Sequence, residues 1–232
     1  MGIRHLKSII VVLLKDFMTL TLYHYVHCPY CVRVRMALGY LNHEFISKVL
    51  PYEDETTPIS LIGKKMLPIL VNDQKVLNES LDIIKHIDKN HELKVNEVIS
   101  SETFLKVETF LNTIGAPIHS LAMPYWIYTP EFTETSRQYF QKKKEEKRGP
   151  FSLLVKNRLH FESEIESLLK SLEKSLIPFY ESSAFSLLDI LIASHLWGLY
   201  VVPEFQFSEK MHNYLQSVKK VCRFNYHKDF WG

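Results

Sequence analysis

The sequence contains a pair of cysteines separated by two residues, in the segment Cys28-Pro-Tyr-Cys31. Proline is typical of the first position of a helix, so this segment predicts a helix that begins directly after Cys28. Backbone N–H groups and the positive end of the helix dipole would stabilise a Cys28 thiolate, whereas Cys31 lies further in and is better shielded. The two thiols are within disulfide reach. Their asymmetry predicts that Cys28 attacks a disulfide and that Cys31 resolves the resulting mixed disulfide.

Two other uses of a C-x-x-C pair have to be weighed. A structural zinc ion needs four ligands, and the sequence has no second cysteine pair. His24 and His27 could complete a ligand set, but residues three apart on an extended segment tend to face opposite ways. A purely structural disulfide is not expected either, because the chain has only three cysteines, Cys222 being the third, and the character of a cytosolic protein. Redox or thiol-transfer chemistry is therefore the favoured interpretation, with Cys222 as a small buried side chain.

The composition excludes several other classes of function. The 232 residues carry a formal net charge of +2, which is too small for a general nucleic-acid binder. The seven glycines are not spaced to form a glycine-rich phosphate-binding loop. The longest early apolar run, residues 9–14, is too short to span a membrane. We expect a cytoplasmic protein that binds neither nucleic acid nor membrane. Residues 1–17 are expected to be an extension or the product of a mis-assigned start before Met18.

The elements that must position the cysteines follow from the pattern of apolar residues in the first 91 residues. Residues 20–26 predict a buried strand before the cysteines, and residues 44–50 predict a second strand after the helix. A hairpin at 68–77 and a helix at 80–89 complete the unit. The predicted domain, residues 18–91, is therefore α/β with a mixed four-stranded sheet.

The rest of the chain predicts only helices. A polar stretch at residues 92–101 is the expected linker to an all-helical domain at 102–232. The lysine-rich segment 142–148 is expected to be a solvated helix end. Apolar stripes at helical spacing predict helices at residues 102–115, 133–146, 151–175, 187–201 and 208–222.

Three segments resemble known families. The segment LYHYVHCPYCVRVRMALG, residues 22–39, resembles the active-site strand and helix of glutaredoxins. Residues 63–70 resemble the turn that carries a cis-proline in the thioredoxin superfamily, here Leu67-Pro68. Residues 78–83 resemble the E-S-x-x-I element of glutathione transferases. The chain therefore resembles proteins whose N-terminal domain is thioredoxin-like.

When the helical domain is included, the resemblance covers the chain from residue 18 to about residue 200. Residues 131–144 are similar to the helical domain of two-domain bacterial glutaredoxins of the glutaredoxin 2 type, which have a glutathione-transferase-like fold. Ser186 and Asp189 resemble the capping element of transferase folds, and the S-x-x-D spacing also predicts a capped helix in its own right.

The resemblance implies a set of residues that bind glutathione. Each has an ordinary structural alternative: a proline at the start of a strand, a helix cap or a solvated loop lysine. The implied residues are Tyr30 as a packing surface, Leu67 and Pro68 at the cysteinyl part, Glu79 and Ser80 at the γ-glutamyl end, and Lys65 or Lys64 at the glycine carboxylate.

The function implied by the resemblance is that of a glutathione-dependent thiol–disulfide oxidoreductase acting through a redox-active Cys28–Cys31 pair. Glutathione would be the co-substrate, with no bound metal, nucleotide or flavin. The partners would be glutathionylated or disulfide-containing proteins, and a monomer is expected. Two alternatives remain: a cysteine-type glutathione transferase, which usually lacks the second cysteine, and a non-catalytic interaction protein with a transferase fold.

Overall fold

The structure, a computed structural model, describes residues 20–73 and 75–226 of the chain. The expectation for residues 1–17, including a start at Met18, lies outside the described residues, as do the final residues of the C-terminal tail.

A mixed four-stranded sheet forms the centre of the first domain, as predicted. The strands are β1 (Leu20–His24), β2 (Phe45–Val49), β3 (Ile69–Asn72) and β4 (Lys75–Asn78), in the order β2-β1-β3-β4. β1 pairs in parallel with β2, whereas the β1–β3 and β3–β4 pairs are antiparallel. Leu22 faces Leu70 across the β1–β3 pair, and both side chains are fully buried. The crossover and the hairpin of the prediction are therefore confirmed.

Three helices accompany the sheet: α1 (Pro29–Tyr40), α2 (Thr56–Ile62) and α3 (Ser80–Ile87). Val32 and Met36 lie on one buried face of α1. Val34, Leu38 and even Arg33 are buried as well. The sheet domain covers one side of α1 and the helical domain covers the other, so α1 lies at the centre of the molecule. Tyr30 is the one exposed residue of α1, so an amphipathic sequence pattern does not reveal how fully this helix is buried.

The expected linker at 92–101 is packed rather than loose. It contains the short helix α4 (Val95–Ile99), and the side chains of Leu93 and Val95 are buried. The Asp88 carboxylate accepts hydrogen bonds from the backbone N–H groups of Glu92 and Leu93. The linker therefore joins the two domains without a flexible hinge.

The remaining helices differ from the predicted bounds in two places. The first continues through Pro117 and Pro124 instead of ending at residue 115, because both prolines and the neighbouring Ile114 and Leu121 are buried against the core. The predicted helix at 151–175 is divided at Asn157. The helices are α5 (Glu102–Trp126), α6 (Glu134–Arg148), α7 (Phe151–Lys156), α8 (Arg158–Glu173), α9 (Leu187–Leu196) with a 3-10 turn at Trp197–Val201, and α10 (Glu209–Val221).

The predicted cap of α9 is present as a complete capping box. The Ser186 hydroxyl accepts from the helix start, and the Asp189 carboxylate accepts from the Ser186 backbone N–H. Asp189 also accepts hydrogen bonds from the Tyr180 N–H and the Tyr214 hydroxyl. The cap therefore ties α9 to α10 as well as ending the helix.

The segment that follows α10 packs over α1, the helix that begins at the candidate catalytic cysteines. A Cβ atom added to Gly39 would lie 2.0 Å from the carbonyl oxygen of Cys222. Arg35 donates from Nη2 to the carbonyl oxygen of Asn225 at 3.0 Å, and its guanidinium lies over the ring of Phe224. Cys222 is fully buried, as expected, and burial raises the pKa of its thiol. Residues 222–226 are thus part of the packing around α1.

Candidate active site

Cys28 lies at the N-terminal end of α1, as the N-cap residue. Its sulfur accepts a hydrogen bond from the Cys31 thiol and is approached by the backbone N–H groups of Cys31 and Tyr30. These interactions and the nearby charge of Arg33 lower the pKa of Cys28 to about 7, although burial acts in the opposite direction. A large fraction of Cys28 is therefore thiolate near neutral pH, which is the nucleophilic form.

Cys31 has the opposite character. It is fully buried, and burial is the main cause that raises the pKa of its thiol well above the usual range. The hydrogen bond to Cys28 acts in the same direction, while the backbone N–H of Tyr25 donates to the Cys31 sulfur at 3.4 Å. Both cysteines are free thiols in the structure, so the Cys28–Cys31 disulfide remains a prediction. The asymmetry between the two thiols matches the predicted roles.

A cleft of about 510 Å³ opens beside Cys28, between the two domains. Its described lining includes four lysines and neither Asp nor Glu, so the cleft favours anions. The lining residues are Tyr25, Cys28, Pro29, Tyr30, Tyr52, Lys65, Met66, Leu67, His119, Met123, Trp126, Tyr139, Phe140, Lys143, Lys144 and Lys147.

Stacked rings join the two domains behind the cleft. Tyr25 and Tyr52 stack with 4.0 Å between ring centroids, and Tyr52 stacks on Phe132 at 4.7 Å. The ring of His27 lies parallel to those of Phe132 and Trp126. Because both domains contribute rings to this stack, the position of the cleft wall depends on interdomain packing. Trp126 is buried in this stack and also lines the cleft.

Several of the predicted glutathione-binding residues lie near Cys28. The Leu67-Pro68 peptide bond is cis, as the resemblance implied, and Leu67 lines the cleft. Tyr30 also lines the cleft, and its side chain is 49% exposed. One edge of the Tyr30 ring contacts His195 of α9. Both residues are placed where they could contact a ligand bound at the Cys28 sulfur.

Glu79 and Ser80 lie at the start of α3. Glu79 is the N-cap residue, but its side chain makes no capping hydrogen bond. Instead its carboxylate extends towards Lys64, with 3.8 Å between charged atoms. Ser80 is buried, and its hydroxyl accepts a hydrogen bond from Nη1 of Arg33 at 3.5 Å. The ordinary capping role therefore does not account for these two side chains.

The two candidate lysines for the glycine carboxylate have other partners. Lys65 lies in the cleft, but its three N–H donors are directed at the Tyr52 carbonyl, the Tyr139 hydroxyl and the Glu55 carboxylate. Lys64 pairs with Glu79 and is not among the residues that line the cleft. Lys65 therefore ties the two domains together, and the geometry does not favour it as a carboxylate ligand.

The lysine-rich end of α6 is solvated at Lys143 and Lys147, which are exposed as expected, whereas Lys144 is half-buried. Lys143, Lys144 and Lys147 line the cleft opposite Cys28. Burial is the main cause that lowers the pKa of Lys144, and neighbouring Lys147 acts in the same direction. A sequence signal for this orientation exists: Phe140 is apolar and lies three and four residues before Lys143 and Lys144, on the same helix face.

A second feature absent from the prediction is the buried position of His27. Its Nδ1 is hydrogen-bonded to the hydroxyl of Tyr226, and its Nε2 to the Thr129 hydroxyl at 2.7 Å. No local sequence signal identifies these partners, because both come from distant parts of the chain.

Over residues 20–73 and 75–226, no cluster of His, Cys, Asp and Glu is arranged to hold a metal ion. Over the same residues, none of the helices has the length and apolar character needed to cross a membrane.

Comparison with known proteins gave matches to both halves of the chain. The model for the glutathione S-transferase N-terminal domain matches residues 22–95, and the model for the glutaredoxin 2 C-terminal domain matches residues 106–229. Glutaredoxin 2 of Escherichia coli strain K12 is 29% identical over 209 residues, which cover 88% of this chain and 96% of that protein.

Solved structures gave the same relationship. The crystal structure of glutaredoxin 2 from Salmonella typhimurium in complex with glutathione matches with a TM-score of 0.80 and 29% identity, over 91% of this chain and 98% of that chain. Glutathione transferase GSTFuA2 from Phanerochaete chrysosporium matches with a TM-score of 0.69 and 15% identity, over 89% of this chain and 99% of that chain. At that identity the second match concerns the fold alone.

Proposed function

We infer that this chain, which belongs to the glutaredoxin 2 family, is a glutathione-dependent thiol–disulfide oxidoreductase. The observation that carries the inference is the pair of unequal thiols at the edge of the interdomain cleft. Cys28 has a pKa of about 7, and it receives a hydrogen bond from a buried thiol, Cys31, whose pKa is raised. Cys28 can therefore attack a disulfide, and Cys31 lies next to it as a second thiol that can resolve the mixed disulfide.

We propose the following sequence for a protein–glutathione mixed disulfide. The Cys28 thiolate attacks the glutathione sulfur, and the protein thiol leaves with the electron pair of the broken S–S bond and takes up a proton. A second glutathione thiolate then attacks the glutathione sulfur bound to Cys28. This step releases oxidised glutathione and regenerates the Cys28 thiolate.

For a disulfide within a protein, Cys28 would first form a mixed disulfide with one of the two substrate sulfurs. Cys31 then attacks the Cys28 sulfur, releases the reduced substrate and leaves a Cys28–Cys31 disulfide. Two glutathione molecules reduce this disulfide in turn, with oxidised glutathione as the product. The hydrogen bond between the two thiols supports this second route.

The described residues also support positions for the parts of glutathione. Leu67 and Tyr30 line the cleft next to Cys28 and would contact the cysteinyl part. Ser80, at the N-terminal end of α3, would receive the γ-glutamyl carboxylate, with Glu79 near its ammonium group. The cleft lysines of α6 are better placed than Lys65 for the glycine carboxylate, because the donors of Lys65 are already used.

We further propose that the protein acts as a monomer in the cytoplasm on glutathionylated and disulfide-containing proteins. A reductase that depends on reduced glutathione needs a compartment where thiols stay reduced, which supports the cytoplasm.

Mass spectrometry after incubation with oxidised glutathione tests the function. We expect either one glutathione adduct on Cys28 or a Cys28–Cys31 disulfide, with Cys222 unmodified. The Cys222→Ser variant is the matched control and should give the same products. Conjugation of electrophiles without disulfide reduction would instead indicate a cysteine-type glutathione transferase. Absence of any thiol exchange at Cys28 would indicate a non-catalytic interaction protein.

A further inference from the structure

Arg33 is a buried cation without an anionic partner among the described residues. Arg33 lies on α1, two residues after Cys31, and it is only 3% exposed. None of the ion pairs within residues 20–73 and 75–226 includes it. Its Nε atom is buried and has no hydrogen-bond partner. A buried charge in this state is costly, so the position calls for a reason other than stability.

The nearest candidate for a counter-ion does not fulfil that role. Glu108 of α5 is the carboxylate whose charge acts most strongly on Arg33. It forms no ion pair with Arg33, and one of its own oxygens is buried without a hydrogen-bond partner. The protein thus leaves the guanidinium unneutralised although a carboxylate lies in the same region.

The guanidinium is directed at the start of α3. Nη1 donates to the Ser80 hydroxyl, which belongs to the first residue of that helix. On its other side the guanidinium lies 4.8 Å from the centre of the Tyr30 ring, which in turn contacts His195. Arg33 is therefore held between a wall of the cleft and a helix N-terminus whose N-cap side chain makes no capping hydrogen bond.

We propose that Arg33 binds the α-carboxylate of the γ-glutamyl group of glutathione, together with the Ser80 hydroxyl and the backbone N–H groups at the start of α3. This inference rests on the proposed function and adds a specificity-determining residue to it. A carboxylate at this place would give the unpartnered Nε an acceptor. It would also give a planar cation the geometry for two parallel hydrogen bonds.

The proposed contact also predicts a preference between thiols that have the α-carboxylate and thiols that lack it. A thiol that carries a γ-glutamyl group with its α-carboxylate pairs with Arg33. A thiol of the same length without that carboxylate leaves the buried guanidinium unpaired, and the unpaired cation is a penalty against the wrong substrate.

The test compares glutathione with γ-aminobutyryl-cysteinylglycine, which lacks only the α-carboxylate, as the reducing thiol in turnover of a small neutral disulfide. The wild-type protein should prefer glutathione by about tenfold or more in kcat/KM. Arg33→Gln should lose most of this preference, and Arg33→Lys should restore part of it. Arg158→Gln is the matched control, since Arg158 has Glu162 and Glu204 as partners, and it should keep the full preference.

A purely structural role for Arg33 predicts a different result. Arg33→Gln would then lower the thermal midpoint and total activity but keep the preference for glutathione, and that outcome overturns the proposal. Equal use of both thiols by the wild-type protein also overturns it, whether or not the variant folds. Absence of all thiol-dependent turnover in the wild-type protein overturns the proposed function, and this inference with it.

Discussion

His27 and Tyr226 are hydrogen-bonded to each other, from the His27 Nδ1 atom to the Tyr226 hydroxyl, although 199 residues separate them in the chain. His27 directly precedes Cys28, the proposed nucleophile. Its other ring nitrogen is bonded to Thr129, which follows α5. The residue next to the reactive sulfur is thus held by two segments outside its own domain.

Removal of the Tyr226 hydroxyl should therefore destabilise the protein. In Tyr226→Phe the buried Nδ1 of His27 loses this partner, and we expect the free energy of unfolding to fall by about 1–3 kcal/mol. Chemical denaturation measures the change. Tyr128→Phe removes a hydroxyl from an exposed ring and should be neutral. Equal stability of the two variants would show that the His27–Tyr226 bond contributes nothing.

The reactivity of Cys28 should follow its lowered pKa. The thiolate is half formed at about pH 7, so the rate of alkylation by iodoacetamide should be half-maximal there. As pH falls below 7, Cys28 takes up a proton and the rate should decrease; above pH 8 the rate should level off. Alkylation is measured in Cys222→Ser, so that the signal comes from the active site. A midpoint near pH 9 would contradict this assignment.

The hydrogen bond from Cys31 should be a main cause of that lowered pKa. Cys31→Ala removes the donor, so the pKa of Cys28 should rise and alkylation at neutral pH should slow. Cys31→Ser keeps a donor at the same position and should preserve most of the shift, as well as turnover of glutathione mixed disulfides. Both variants should lose the resolving step. Identical alkylation profiles in the two variants would exclude the hydrogen bond as the cause.

The close contact between Gly39 and Cys222 predicts a large difference between two helical glycines. In Gly39→Ala the new methyl group would overlap the backbone of Cys222, so we expect a loss of about 2–3 kcal/mol in unfolding free energy. Gly115→Ala is the matched control, because nothing lies within 4 Å of the added atom. That variant should be stabilised by about 0.5–1 kcal/mol, since alanine favours the helix.

The lysines of α6 predict a dependence of catalysis on salt. Glutathione carries more negative than positive charge at neutral pH, so kcat/KM should decrease as ionic strength rises. The double variant Lys143→Gln, Lys147→Gln should have a lower value at low salt and a weaker salt dependence. Lys156→Gln with Lys170→Gln, on α7 and α8, removes the same charge from exposed positions and should keep the wild-type slope. An unchanged slope in the α6 variant would contradict the electrostatic role of this face.

The sequence is sufficient to predict those parts of the molecule whose signals are local. The C-P-Y-C segment predicts where α1 begins and which thiol is the more acidic, because both depend on the geometry of a helix start. The strand pattern predicts the crossover and the hairpin. The S-x-x-D spacing predicts the capping box at Ser186. Each of these features depends on residues that are close in sequence.

Features that depend on distant contacts are missed. The helix prediction at 102–115 stops before Pro117, because local propensity cannot include the burial that carries α5 to Trp126. The partial burial of Lys144 depends on the packing of α6 against the other domain. Likewise, the engagement of Lys65 by Tyr139 and Glu55 joins three segments that no sequence window contains.

The packing of residues 222–226 over α1 also determines when the fold can be completed during synthesis on the ribosome. Arg35 and its partner Asn225 are 190 residues apart, so the packing of Phe224 and Tyr226 around α1 cannot form until nearly the whole described chain has been synthesised. At about 5–20 residues per second this delay is roughly 10–40 s. Throughout that interval the C-x-x-C thiols belong to a nascent chain whose active-site helix has one side uncovered, and only reducing conditions around the ribosome keep them as free thiols.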